Sequence, residues 1–170
     1  EPPMTIARRS LILGAPALIL AACASVPQPS EPPIGAITLD EVFVGRLRGR
    51  GLFRVDLTGD ERRFSARLHG TLRGDRLTVV EDFTYDDGQA DRLTWVFDRA
   101  GPGRWTGRRE DTVGTAQVVE ADGVIRLDYT ADFRSTDAVT RLVFSDVLYR
   151  GANGRILNDA IVRRWGVPVA

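Results

Sequence analysis

The stretch Phe64-Ser65-Ala66-Arg67-Leu68-His69-Gly70-Thr71-Leu72-Arg73-Gly74-Asp75-Arg76-Leu77-Thr78-Val79-Val80-Glu81-Asp82-Phe83-Thr84-Tyr85 decides the fold. Phe64, Ala66, Leu68, Gly70 and Leu72 alternate with Ser65, Arg67, His69, Thr71 and Arg73, the period of a strand with one apolar and one wet face. Gly74-Asp75 supplies a hairpin turn. Leu77, Val79, Glu81, Phe83 and Tyr85 then form the next inward row, closed by Asp86-Asp87-Gly88. Upstream, Leu47, Gly49, Gly51, Phe53, Val55 and Leu57 oppose Arg46, Arg48, Arg50, Arg54 and Asp56, ahead of a turn at Thr58-Gly59-Asp60. Downstream come Leu93, Trp95 and Phe97, a turn at Gly101-Pro102-Gly103, a strand marked by Trp105 and Gly107, and another over Val113 to Val119. Asp122-Gly123 leads into Ile125, Leu127, Tyr129, Ala131 and Phe133; Leu142 to Tyr149 and Arg155 to Arg164 complete the set.

That is about nine strands of roughly ten residues each, joined by turns too short for parallel crossovers, so neighbours must run antiparallel. Leu39 to Val44 reads as one short helical turn. The fold class expected is all-β: an antiparallel up-and-down lipocalin-like β-barrel of about 8–9 strands, with a β-sandwich as the alternative. Closure removes exposed edges, and glycines inside strands suit tight coiling. The outward faces carry Arg and Asp, which argues against a transmembrane barrel.

Composition narrows the chemistry. The chain has 170 residues, 43% hydrophobic, with 23 basic and 23 acidic side chains and a formal net charge of zero. A balanced charge excludes the polybasic signature of a nucleic-acid binder. One Cys and one His leave no internal disulfide and no Cys/His zinc cluster, so no metal or other cofactor is expected. All 23 basic residues are Arg, which removes Schiff-base and Ser-Lys chemistry. Composition names no reaction.

The N-terminus reads as an address. Residues 1–3 precede Met4, and Arg8-Arg9 is followed by an apolar run from Leu11 to Leu20 that is too short to span a membrane. It ends in Leu20-Ala21-Ala22-Cys23, similar to the lipobox of bacterial lipoproteins, in which the Cys is acylated and becomes the first residue of the mature chain. Residues 1–22 are therefore expected to be a signal peptide, with Cys23 as the lipidation site. Acyl chains contribute about 0.8 kcal/mol per buried CH₂, enough in combination for stable membrane anchoring. Ala24 rather than Asp fits sorting to the outer membrane. Arg8-Arg9-Ser10-Leu11-Ile12 also resembles a twin-arginine signal, so either export route stays open. Residues 23–37, with Pro27, Pro29, Pro32 and Pro33, read as a lipidated tether, and 38–170 as the barrel.

Glu81-Asp82-Phe83-Thr84-Tyr85-Asp86-Asp87-Gly88, Trp95, Gly107, Gly114-Thr115-Ala116, Asp146-Val147-Leu148-Tyr149, Asn158 and Trp165-Gly166-Val167 together resemble the domain of unknown function 3833 family of Gram-negative envelope lipoproteins. The resemblance covers about residues 39 to 170 and departs where Trp165-Gly166 replaces the usual Phe-Gly. It implies a lipocalin-like envelope protein of unknown activity, at the periplasmic face of the outer membrane. It also implies a lipid-related role, since such proteins tend to be encoded beside enzymes that modify acyl chains.

Glu81 and Asp146 are the most informative side chains, because alternation places each carboxylate on an apolar face: Glu81 between Val79 and Phe83, Asp146 between Phe144 and Leu148. A buried carboxylate must find a partner or take up a proton. With Tyr85 and Asn158 as hydrogen-bonding groups and Trp95 as an apolar wall, the two form a candidate ligand-binding cluster inside the sheet. The rival reading satisfies each locally, with Arg92 or Arg109 as the partner. Asp86-Asp87-Gly88 lacks the spaced ligands of a calcium loop and reads as a turn. His69 falls on the wet face, with Ser65 about 13 Å along the strand, too far for a Ser-His pair. The Arg46/Arg48/Arg50/Arg54 row either meets anionic head groups or is a solvated face. The expectation is a membrane-anchored protein binding a small hydrophobic molecule such as an acyl chain or lipid. The alternatives are an enzyme using Glu81 or Asp146 as acid–base, and a structural envelope protein with a solid barrel.

Overall fold

Alternation and short turns produce ten strands: β1 (Gly45–Arg54), β2 (Glu61–Arg73), β3 (Arg76–Tyr85), β4 (Ala90–Gly101), β5 (Arg104–Arg108), β6 (Ala116–Ala121), β7 (Val124–Arg134), β8 (Val139–Arg150), β9 (Ile156–Arg164) and β10 (Val167–Pro168), preceded by a short helix, α1 (Leu39–Phe43). The structure, a computed structural model, describes residues 26–54, 61–134 and 139–170. Cys23, the apolar run before it and the turn expected at 58–60 lie outside the described residues. Every strand pairs antiparallel with its neighbours in sequence, in the order β1 to β10, and the sheet curls into a half-barrel. The all-β up-and-down reading is therefore correct. The strand count is ten because the hairpin at Trp165-Gly166 adds the two-residue β10. Among the described residues no pairing joins β1 to β9 or β10, so the sheet stays open.

An open, curled sheet has a concave apolar face that needs a cover, and α1 supplies it at the lower end. Ile37, Leu39 and Val42 are buried in one cluster with Leu77, Trp105, Val118, Ile125 and Leu148 from the inner face. A five-residue helix does not persist alone, so its position depends on these contacts and on two fixings. Thr38 caps its N-terminus, accepting from the Glu41 amide at 3.4 Å. Glu120 on β6 accepts from the Leu39 amide at 2.7 Å and from Trp105 Nε1 at 2.9 Å. At its other end α1 passes so close over β2 that the carbonyl of Phe43 occupies the place of a Cβ on Gly70.

Before reaching the interior the chain crosses the outside. Residues from Pro27 onward, part of the stretch whose composition reads as a tether, are held against the convex face of β7–β9. Arg126 Nη1 donates to the Pro27 carbonyl at 2.9 Å. The Ser30 amide donates to Asp159 at 2.8 Å and to the Tyr149 hydroxyl at 3.1 Å. Glu31 Oε1 accepts from the Ala152 amide at 2.8 Å, and the Ile34 amide donates to the Arg150 carbonyl at 2.8 Å. Val124, Val147, Tyr149 and Leu157 pack as a second small cluster on this face. Asp146-Val147-Leu148-Tyr149 is thus buried at four consecutive positions, the odd residues on the convex side and the even ones inward.

Two substitutions test the plug. Gly70→Ala forces a methyl into the Phe43 carbonyl and is expected to lower stability by about 2 kcal/mol, as overpacking does. Glu120→Ala strands two buried donors and is expected to cost roughly 1–3 kcal/mol for each. Urea unfolding followed by tryptophan fluorescence measures both; a Gly70→Ala protein as stable as the wild type contradicts the close approach.

Candidate functional site

Above the plug, the inner face changes character. Odd-numbered residues of β5 point inward, placing Trp105 in the core and Arg109, just past the strand end, in the middle of the half-barrel. Only 11% of the Arg109 side chain is exposed. It forks onto Asp111, Nε to Oδ1 at 2.7 Å and Nη2 to Oδ2 at 2.9 Å. The fork is fixed by a tight turn in which Thr112 Oγ1 accepts from the Arg109 amide at 3.0 Å and donates to its carbonyl at 2.8 Å. The guanidinium carbon lies 4.9 Å from the centre of the Trp95 ring and 5.3 Å from that of Tyr129, within cation–π range. Burial opposes its charge, but the Asp111 fork and the neighbouring negative groups outweigh this and hold its pKa above the ordinary guanidinium value.

Glu81 reaches the same guanidinium from β3, with Oε2 3.7 Å from Arg109 Nη1. That distance is an ion pair but too long for a hydrogen bond, and Oε2 has no hydrogen-bond donor although it is buried. Burial pushes the Glu81 carboxyl up to about 7; Arg109 pulls it down, and Asp111 and Glu110 push it further up. Asp146 on β8, 7% exposed, also rises to about 7, again chiefly through burial. Arg109 and a hydrogen bond with Asn158 oppose that rise, while Asp128 and Glu81 add to it. Tyr129 stands between, stacked on Phe144 at 4.7 Å and edge-on to Trp95 at 5.2 Å. Its phenol is pushed well above the usual value by burial and then by the field of Asp146.

All five ligand-binding residues expected from the sequence therefore lie on the inner face, and four belong to one cluster. Glu81 and Trp95 face Arg109 directly, Asp146 lies in its field, and Asn158, itself exposed, joins through its hydrogen bond with Asp146. Tyr85 stands apart, higher on β3, in an aromatic group with Phe64 (ring centres 6.3 Å apart) and Phe83 (6.3 Å). Arg62 lies 3.6 Å over the Tyr85 ring, and its Nη2 is tied to Asp87 at 2.9 Å and Gln89 at 2.8 Å. Of the two arginines weighed as partners, Arg92 is excluded, since it forks onto Asp82 on the convex side at 2.6 and 3.1 Å. Period-2 alternation from Trp105 and Gly107 marks Arg109 as inward. Asp111 sits in a loop, where no period applies.

Among the described residues, the cavities found beside the cluster are open and form no enclosed chamber of the lipocalin kind. The lower interior is filled by α1 and its partners. Two open depressions, about 470 and 370 Å³, lie around Thr94, Val96 and Asp98 and around Arg67, Asp82 and Arg92; Arg109 borders the first and Phe83 the second. What remains on the concave side is an aromatic trough, half-buried at Phe64, Phe83 and Phe144 and exposed at Phe133. Among the described residues no group of three or more His, Cys, Asp or Glu is placed to hold a metal ion.

The model of the family described as "Protein of unknown function (DUF3833)" matches residues 17–170, and the chain belongs to that family. No curated protein and no solved structure matches it.

The raised carboxyls make a signed prediction. A buried acid whose folded pKa exceeds its unfolded value binds protons more tightly when folded, so it favours the native state below the unfolded pKa. That contribution fades as pH climbs towards the folded one. Glu81 starts from 4.5 and Asp146 from 3.8, and both reach about 7. Each of the two groups is thus expected to contribute a fall in stability of a few kcal/mol between pH about 4 and about 7, at about 1.4 kcal/mol per unit of pKa difference, with a level course above. Denaturant melts of the wild type and of Glu81→Gln/Asp146→Asn across this range check it; equal slopes in the two proteins refute the assignment.

Proposed function

We propose that this member of the DUF3833 family is an envelope lipoprotein, anchored by acyl chains on Cys23 at the periplasmic face of the outer membrane. In this reading its half-barrel holds a small amphiphile such as an acyl chain or lipid. The apolar part lies along the trough of Phe64, Phe83, Phe144 and Phe133, and the polar group meets the belt of Glu81, Arg109 and Asp146. One observation carries the reading: Glu81 Oε2 is a buried acceptor without a donor, at the base of an aromatic surface that is incompletely covered. A hydroxyl or amine on a ligand would complete it, and leaving such an atom unpaired is otherwise costly. Support for the anchor comes from the succession of Arg8-Arg9, apolar run and Cys23 along the sequence. Because the lower interior is filled, the ligand lies in an open trough, not sealed in a calyx.

A second reading has its own observation. Two carboxyls poised at about 7 around one cation suit an acid–base pair working near neutrality, which would make the protein an enzyme acting on the same amphiphile.

Native mass spectrometry of the full chain extracted from its own membrane tests both. An acylated Cys23 and a co-purifying lipid are expected, with retention of that lipid falling about tenfold in Glu81→Gln, the loss of one charge-assisted hydrogen bond. Conversion of the bound lipid by wild type but not by Glu81→Gln selects the enzyme. A clean apo mass in repeated preparations overturns the ligand reading, and an unmodified Cys23 overturns the anchor.

A further inference from the structure

The convex face has a second feature, independent of the trough. On β3–β4 and β7–β8, outward arginines are forked onto carboxylates of a neighbouring strand: Arg76 onto Asp98 at 2.7 and 3.0 Å, Arg92 onto Asp82, and Arg141 onto Asp132 at 2.8 and 3.1 Å. At the β1–β2 edge one such fork closes the end, Arg54 onto Glu61 at 3.0 and 2.6 Å, and beyond it the pairing stops. The register sets Arg46 opposite His69, Arg48 opposite Arg67 and Arg50 opposite Ser65, all on the convex side and all exposed. Among the described residues, no carboxylate comes within ion-pair distance of Arg46, Arg48, Arg50 or Arg67. Two like charges directly across a strand pair destabilise it, so Arg48 facing Arg67 is a standing cost, offset only in part by the attraction of Asp82, which lies opposite Arg67 on β3 and is itself forked by Arg92. A charged edge does discourage sheet-to-sheet association, but that needs arginines on β1 alone, not a second row on β2.

Within the same face Leu52 points outward, opposite Arg63, and 43% of it is exposed. Strand rungs about 7 Å apart and strands about 4.8 Å apart spread these side chains over the convex surface. Exposed guanidiniums spread on a convex surface around an exposed leucine match a layer of phosphates lying over hydrocarbon. They do not match a nucleic-acid groove, which would be served by more charge and no leucine.

We propose that the convex face of β1–β2, centred on Arg48 and Arg67, docks on anionic phospholipid head groups at a membrane surface. Each arginine brought to such a surface strengthens binding roughly fivefold, and the attraction is screened by salt.

The full chain is mixed with sedimentable vesicles of phosphatidylcholine alone, or of phosphatidylcholine with about a third phosphatidylglycerol, an anionic surface of the required kind. Any contribution from the N-terminal apolar run or from acyl chains is common to all variants, so the comparison between variants reports the face. Wild type is expected to prefer the anionic vesicles. The preference should fade as salt rises from about 0.1 M to about 1 M and the screening length shortens from about 10 to about 3 Å. Arg46→Gln/Arg48→Gln/Arg67→Gln should lose on the order of a hundredfold of the preference, and the corresponding triple Lys variant should keep it. Arg48→Gln alone should lose about fivefold while its thermal midpoint rises, because the repulsion with Arg67 is gone; it serves if the triple change fails to fold. Wild-type preference in folded Gln variants overturns the proposal. So does equal binding to both vesicles, which would leave the face for another polyanion. Loss of binding in the Lys variant would point to a defined ligand that needs guanidinium forks, and overturns the head-group surface as well.

Discussion

A meander that curls without closing has an apolar concave face and no second sheet to lay against it. The chain's own N-terminal segment meets this constraint, and most of the molecule follows from how it does so. Leu39 and Val42 enter the lower half of the trough, and Glu120 turns inward to hold the start of α1 and the indole of Trp105 together. Gly70 gives up its side chain so that the helix can settle. The small core beneath Tyr149 exists because the segment must cross the outside of the sheet to reach the inside. What the helix does not reach stays partly open, and that is where the ionisable groups collect.

The polar belt sits at the boundary between the filled and the open halves. Its one guanidinium is shared by Asp111 at hydrogen-bonding distance and Glu81 at 3.7 Å. Asp146 is close enough to feel it, while taking its hydrogen bond from Asn158. Burying several charges with imperfect mutual contacts adds little to stability, and a well-packed apolar set of similar volume often does better. Retention of such a belt in a core otherwise made of Leu, Val, Trp and Phe is what turns attention to chemistry or recognition.

Much of this was legible in the sequence. Period 2 placed Glu81 and Asp146 inward, and short turns placed every strand beside its neighbour, because side-chain direction and chain reach are local properties. The plug was only half legible. Leu39 to Val44 reads as a helical turn, but which surface a five-residue helix covers depends on residues eighty positions away, such as Glu120. Closure was illegible for a related reason: whether the last strand meets the first depends on accumulated coil and on what fills the middle, which no single strand records. The choice between Arg92 and Arg109 turned on a parity that runs through Gly107, whereas Asp111 gave no signal because loops carry no period.

The N-terminal strap has one more consequence, for the order of events as the chain is made. Ser30 is hydrogen-bonded to residues 119 and 129 positions later, and α1 packs on strands that emerge after it. The first part of the domain to leave the ribosome is therefore among the last to find its place. Strands β1 to β6 can pair in succession, but the plug has no complete socket and the strap no ledge until β7–β9 exist. Such long closures slow folding, and until they are made the concave face stands uncovered. For this chain, the vulnerable interval is the one between synthesis and the arrival of its final strands.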